Sequence, residues 1–287
     1  VSSAAQPGYA PPSGPQPPEP GRRWPRWLVV STVAWAVLLA GLTWYSARND
    51  PPTVREQRSM AQAAPRVNGA VGELVAAASG TVYALLPEEF EQGCRVTPFS
   101  EGAILRRHVE LAVPPGEERA ALERVADGLP PAWRAGVRLT PEGPRLRADA
   151  GEFVAVQGRS VADGRIRLTV ETGCRPNDAD SVTLLPLYSP GVESTALNDA
   201  LTALGAPLAQ AETVMQVSCP GGAVARTVRV TAGPATTSPQ AALAPLAGGT
   251  PAVATPELYA YRRDGVSVLV EVNPDGMVLS ATTGCAG

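Results

Sequence analysis

The apolar and polar positions of this chain fall into three regimes. From Trp27 to Tyr45 the pattern is uncharged and mostly apolar: no charged residue lies between Arg26 and Arg48, and Val, Leu and Ala dominate. At ~1.5 Å per helical residue, the run covers roughly the 30 Å of a bilayer's hydrocarbon core. Backbone amides in lipid have no water to bond, so an isolated span is expected to be a helix. Trp27, Trp44 and Tyr45 stand at its two ends, where amphipathic rings favour the headgroup level. Before the run, residues 1–26 are polar and proline-rich, with too little apolar surface to repay ordering. Pro12-Ser13-Gly14-Pro15 matches a PxxP pattern, but the tail reads as a disordered spacer.

Beyond the run, periodic segments replace continuous ones. Asp50-Pro51-Pro52 interrupts the span, and Thr53 with Glu56 has the spacing of a capping box. Residues 47–66 therefore read as a membrane-proximal linker with a short polar helix over 53–64, stopped by Pro65. Val67, Val71, Leu74, Val75 and Ala78 then recur at helical spacing, with Gly80 as the stop. Leu197, Leu201 and Leu204 repeat that pattern, with Gly205 as the stop. Cys94 follows Gly80 by fourteen positions, and Cys219 follows Gly205 by fourteen.

The echo continues. Strand-like runs cover 104–113 and 223–232. A helix over 117–128 places Leu122, Val125 and Leu129 on one face. Its counterpart begins at Ser238-Pro239, carries Leu243 and Leu246, and stops near Gly248; Pro245 shortens it or makes it irregular. Each half closes in a hairpin, 153–161 through Asp163-Gly164 into 165–172, and 266–272 through 273–276 into 277–283. The halves end on Val-Glu-Thr-Gly-Cys174 and Ala-Thr-Thr-Gly-Cys285. The expectation is an α+β fold: a single transmembrane helix, then two similar extracytoplasmic modules, each an antiparallel sheet with helices on one face. Their boundaries are 67–176 and 193–287, joined by a Pro-, Asn-, Asp- and Ser-containing linker, 177–192, in which 182–188 could add an edge strand.

Each half holds one early and one terminal cysteine, so the duplication favours disulfides Cys94–Cys174 and Cys219–Cys285 among the three possible pairings. Such bonds persist outside the reducing cytosol. Arg22, Arg23 and Arg26 stand directly before the span and only Arg48 closely after it. The positive-inside bias thus puts the N-terminus in the cytoplasm and agrees with the cysteines. A cleaved signal is disfavoured, because the apolar run exceeds the usual 7–15 residues and a cut after Ala47 would put Tyr45 at the −3 position. Arg22-Arg23 resembles a twin-arginine pair, but Pro25 and Arg26 follow it where an apolar segment should begin.

Composition alters this picture little. The net charge is −3, and all 24 basic residues are arginine, which reflects a GC-rich coding genome; the arginines are given no joint meaning. Residues 177–287 hold four arginines against nine acids, so the two modules present different surfaces and different neighbours are expected.

The residues that could carry catalysis are sparse. His108, the one histidine, sits among Arg106, Arg107 and Glu110 and reads as a surface residue rather than a base. Zinc would want close ligand pairs, and no CxxC occurs. Glu88, Glu89 and Glu91 form a carboxylate cluster that reads as solvated, and Asp178 with Asp180 lacks the pattern of a calcium loop. No G-x-S-x-G and no glycine-rich phosphate loop appears. The expectation is a single-pass protein of a bacterial plasma membrane with a non-catalytic binding or scaffolding role in the cell envelope. Its partners would be the membrane and an envelope protein; no nucleic acid, no small-molecule ligand, no metal and no cofactor is inferred. The alternatives are a sensor signalling through the proline-rich tail and a carboxylate-dependent envelope hydrolase. The residues expected to carry the reading are the four cysteines and the interface set Arg22, Arg23, Arg26, Trp27, Trp44 and Tyr45.

Overall fold

The computed structural model describes residues 25–49, 59–177, 190–208 and 212–285, and the chain divides into two units, Val1–Pro51 and Pro52–Gly287. The first unit contributes one helix, α1 (Arg26–Asn49). It is apolar on every side, and Trp27, Val33, Trp35, Leu38, Leu42, Trp44 and Tyr45 are all exposed. Thr32 and Thr43 donate their hydroxyls to the carbonyls of Leu28 and Leu39, at 2.7 and 2.8 Å, so the helix satisfies its own polar side chains. A helix hydrophobic all round belongs in a protein core or a membrane, and no part of this one is buried by protein. By length and composition, Arg26–Ser46 is a candidate membrane span.

In the second unit, α2 (Met60–Ala77) begins at a complete capping box. The Gln62 amide donates to Ser59 Oγ at 3.4 Å, and the Ser59 amide donates to Gln62 Oε1 at 3.1 Å. Here the structure corrects the expected linker: residues 60–66 are helical, Met60 and Ala63 are buried, and Pro65 lies inside the helix instead of ending it. Pro65 falls so close to the start that only the Ala61 carbonyl loses its donor, and the cap plus the burial of Met60 and Ala63 outweigh that loss. The proposed capping pair Thr53–Glu56 lies outside the described residues.

The first sheet follows: β1 (Val82–Leu85), β2 (Glu89–Thr97), β3 (Ser100–Ala112), helix α3 (Glu118–Gly128), β4 (Gly136–Thr140), β5 (Gly143–Asp149), β6 (Ala155–Ala162), β7 (Arg165–Glu171) and the short β8 (Arg175–Pro176). The long β3 is the hub. Its one edge takes β1 and β2 end to end, and its other takes β7 and then β8. The sheet continues β7-β6-β5-β4, antiparallel throughout. Apolar and polar residues alternate along β5 to β7, and Leu146, Val156, Ile166, Leu168 and Val170 point into one core with Leu74, Leu122 and Val125 of α2 and α3.

After residues 178–189, which include the 182–188 segment and lie outside the description, the order repeats. It runs α4 (Val192–Leu204), β9 (Thr213–Ser218), β10 (Val224–Ala232), α5 (Pro239–Ala247), β11 (Val253–Ala254), β12 (Leu258–Arg263), β13 (Val266–Asn273) and β14 (Gly276–Thr283). Among the described residues this makes an α+β chain of five α-helices and two antiparallel sheets. The second sheet has the order β11-β12-β13-β14-β10-β9. Laid against β4-β5-β6-β7-β3-β2 of the first, the two run strand for strand. Gly205 caps α4 with φ +59°, and the Ser238 hydroxyl accepts from Ala241 N–H at the start of α5, as their sequence signals predict. α4 and α5 cover one face of the second sheet through Leu197, Leu204 and Leu243 against Val228, Val268, Val270 and Leu279.

The opposite face of the second sheet is buried too. β1 lies across it, and Val82, Ala84 and Ala112 join Val253, Leu258, Ala260 and Leu269 in a shared cluster. The Leu85 amide donates to Thr227 Oγ1 at 2.9 Å, and Thr227 in turn bonds Thr282 at 2.8 Å. Hydroxyl residues on that face therefore satisfy one another and an edge strand in place of water. α2 also reaches over to β9, and Gly72 abuts the Ser218 carbonyl, where any Cβ would collide. The two modules thus share one folded unit.

Candidate functional site

The structure pairs Cys94 with Cys174 and Cys219 with Cys285, and no free cysteine remains. Both bonds have the same logic. β2 and β7 flank β3, and Cys94–Cys174 joins the two flanks; β9 and β14 flank β10, and Cys219–Cys285 joins those. Each clamps the strand at the centre of its three-strand set. Each also closes a loop, of 80 and 66 residues in sequence separation.

While the second sheet buries both faces, the first leaves one open among the described residues. That outward face is formed by alternate residues of five strands. Arg106, His108 and Glu110 come from β3, Arg165, Arg167, Thr169 and Glu171 from β7, Gln157 and Arg159 from β6, Arg145 and Arg147 from β5, and Arg138 from β4. In register, Arg138 faces Arg145, Arg145 faces Arg159, and Arg159 faces Arg167. Four guanidinium groups stand in one row across four adjacent strands, ~4.8 Å apart from strand to strand. The next row reads Arg147, Gln157, Thr169 and His108. Apart from Arg138, the residues of these rows line a pocket of about 280 Å³ that also touches Glu89, Arg106 and Glu171.

Charge is distributed unevenly over this face. At the β2–β3 side the arginines are neutralised. Arg106 donates to Glu91 at 2.6 Å and to Glu171 at 2.5 Å, and those bonds raise its pKa above the usual guanidinium value. Arg165 is half-buried; burial pulls its pKa down, but Glu110 at 2.5 Å and Glu271 at 3.0 Å outweigh burial and leave it raised. Arg167 shares Glu110 at 3.4 Å. Towards β4 the counter-charges run out. Arg145 has only Glu142, at 3.6 Å and exposed, while Arg138, Arg147 and Arg159 have no ion-pair partner among the described residues.

His108 is a correction to the expected surface residue: it is 8% exposed. β3 is flanked by strands on both edges, so the ring is walled in. Nδ1 lies 2.9 Å from Thr169 Oγ1, and Nε2 lies 3.3 Å from a Glu89 carboxylate oxygen. Glu89 and Glu91 of the acidic cluster thus face basic partners across the β2–β3 edge, and Glu88 stands just outside the strand, in the field of the buried Arg107. Burial pushes the Arg107 guanidinium pKa down and Glu88 pulls it back; Arg107 donates to Asn68 of α2 at 2.5 Å and to the Gln216 carbonyl of β9 at 3.3 Å. Its role is to tie the modules together.

Of the expected interface set, Arg26, Trp27, Trp44 and Tyr45 lie on α1, whereas Arg22 and Arg23, like the linker carboxylates Asp178 and Asp180, lie outside the described residues. The arginine row is what the sequence reading passed over. Its signal is present: Arg145-Leu146-Arg147 and Arg165-Ile166-Arg167 each place two arginines on one face of a strand by the two-residue period. In comparisons with known proteins, no protein-family model, no curated protein and no solved structure matches the chain.

Proposed function

We propose that this is a single-pass protein of a bacterial plasma membrane, in which α1 is an uncleaved anchor, the N-terminal tail is cytoplasmic, and two copies of one α+β module stand on the outer side. Its role there is binding or scaffolding within the envelope rather than catalysis. The observation that carries the reading is the pair of disulfides, each bridging the two neighbours of one strand, in a chain with one exposed apolar helix. Loop-closing disulfides persist in an oxidising space, and an apolar helix with no protein cover needs lipid.

Single engineered thiols test the orientation. Asp275→Cys lies in the exposed turn between β13 and β14, and Ser2→Cys lies in the tail. In intact spheroplasts a membrane-impermeant maleimide should label Asp275→Cys and spare Ser2→Cys until the membrane is permeabilised. Labelling of both, or of neither, before permeabilisation overturns the reading.

A further inference from the structure

The geometry points to the open face of the first sheet as a binding site for a ligand carrying two or more adjacent phosphate groups. This goes beyond the anchored, outward-facing reading and does not depend on it. Arg138, Arg145, Arg159 and Arg167 stand directly opposite one another on consecutive strands, and Arg147 adds a fifth guanidinium one row away. Like charges directly opposite in a sheet oppose folding. The row therefore conflicts with the structure that presents it, and such conflicts mark sites maintained for binding. Position in the fold sharpens the point. The corresponding face of the second sheet is covered by β1 and carries Leu258, Ala260 and Leu269 beside Thr227, Ser267, Ser280 and Thr282, while its Arg229 is held by Glu271 and Ser280. The basic row occurs on the sheet whose face is free.

The chemistry of the groups selects the ligand. Guanidinium forks match phosphate oxygens bidentately, and each phosphate brings more charge into a small volume than a carboxylate does. A pocket of about 280 Å³ lined by Arg145, Arg147, Arg159 and Arg167, of which Arg147 and Arg159 have no ion-pair partner among the described residues, suits a compact, highly charged oxyanion better than a large, singly charged one. Glu110 and Glu171 are already held by Arg165 and Arg106, so they fence one end of the row without neutralising the other.

The test uses the full chain in nanodiscs of zwitterionic lipid, titrated calorimetrically with inorganic tripolyphosphate and, separately, with vesicles containing a polyprenyl diphosphate. Saturable binding of tripolyphosphate with one site per chain supports the proposal and marks a soluble ligand. Binding to the vesicles that tripolyphosphate displaces also supports it and marks a lipid headgroup. Arg159→Gln and Arg147→Gln should each weaken binding about tenfold, the equivalent of one charge-assisted bond. Because Arg159→Gln removes like-charge repulsion, its unliganded thermal midpoint should hold or rise, so loss of binding in that variant cannot be ascribed to unfolding. Absence of saturable binding in both arms, or equal binding by wild type and both variants, overturns the proposal.

Discussion

Arg165 of the first sheet lies 3.0 Å from Glu271 of the second, and the same guanidinium holds the buried Glu110 at 2.5 Å. Arg229 approaches Glu271 from the other side at 3.6 Å, so one chain of charges runs from β7 to β10 across the join between the modules. Removing one member of a buried pair leaves the other uncompensated. Glu110→Ala should therefore cost about 3 kcal/mol in denaturant unfolding. Glu271→Gln, with Arg165 still paired to Glu110, should cost less. The shared cluster around β1 predicts in addition that both sheets melt in one transition. Two resolved transitions by calorimetry would mean that the modules fold separately.

Gly72 and Gly69 occupy the same helix but opposite situations. A side chain at Gly72 meets the Ser218 backbone carbonyl, while one at Gly69 meets nothing within 4 Å. Gly72→Ala should destabilise by about 1–3 kcal/mol through overpacking. Gly69→Ala should stabilise by about 0.5–1 kcal/mol, because alanine loses less conformational freedom in a helix. Equal effects at the two sites would show that α2 does not press on β9.

Alkaline pH probes the burial of Tyr83. Burial pushes its phenol pKa up to about 12, against a small opposing pull from Arg262. Below the unfolded value near 10, both states keep the proton and the stability from burying the neutral ring is fully present. Between 10 and 12 the unfolded chain loses the proton first, so stability falls as pH rises, by up to about 3 kcal/mol for this group. Tyr261, raised to about 12 mainly by burial, adds a parallel loss. Tyr83→Phe should flatten part of the decline in unfolding free energy over that window. A variant with the wild-type slope would show that the phenol is solvated.

Each disulfide restricts the unfolded chain by about 4 kcal/mol in the chain-entropy model, given loops of 80 and 66 residues. Cys94→Ser/Cys174→Ser and Cys219→Ser/Cys285→Ser should each lower the unfolding midpoint in denaturant substantially. A pair whose removal lowers the unfolding free energy by less than about 1 kcal/mol would mean that the unfolded chain already holds those strands together.

Much of the local architecture was legible in the chain, because its cues are local. Ser238-Pro239 and Gly248 bracket α5, Gly205 ends α4, and Asp163-Gly164 turns β6 into β7. The hairpin through Asp264-Gly265 had the same cue but was passed over, since the run Leu258–Arg263 shows no clean alternation. That strand is buried on both faces, which erases the two-residue period. The start of α2 was misplaced because Pro65 outranks Ser59 as a local signal, while burial of Met60 is a tertiary effect. His108 departs from its sequence signal for a similar reason: polar neighbours in sequence suggest solvent, but its neighbours in space are Thr169 and Glu89. The arginine row depends on the register of four strands, which no single segment specifies.

The most direct measurement of the central claim is the redox state of the four cysteines in living cells. Thiols would be trapped by rapid acid quenching and alkylation, and the protein mapped without reduction. The account predicts linked peptides containing Cys94 with Cys174 and Cys219 with Cys285, with no alkylated cysteine. Four alkylated cysteines, or a peptide joining Cys94 to Cys219, would contradict it.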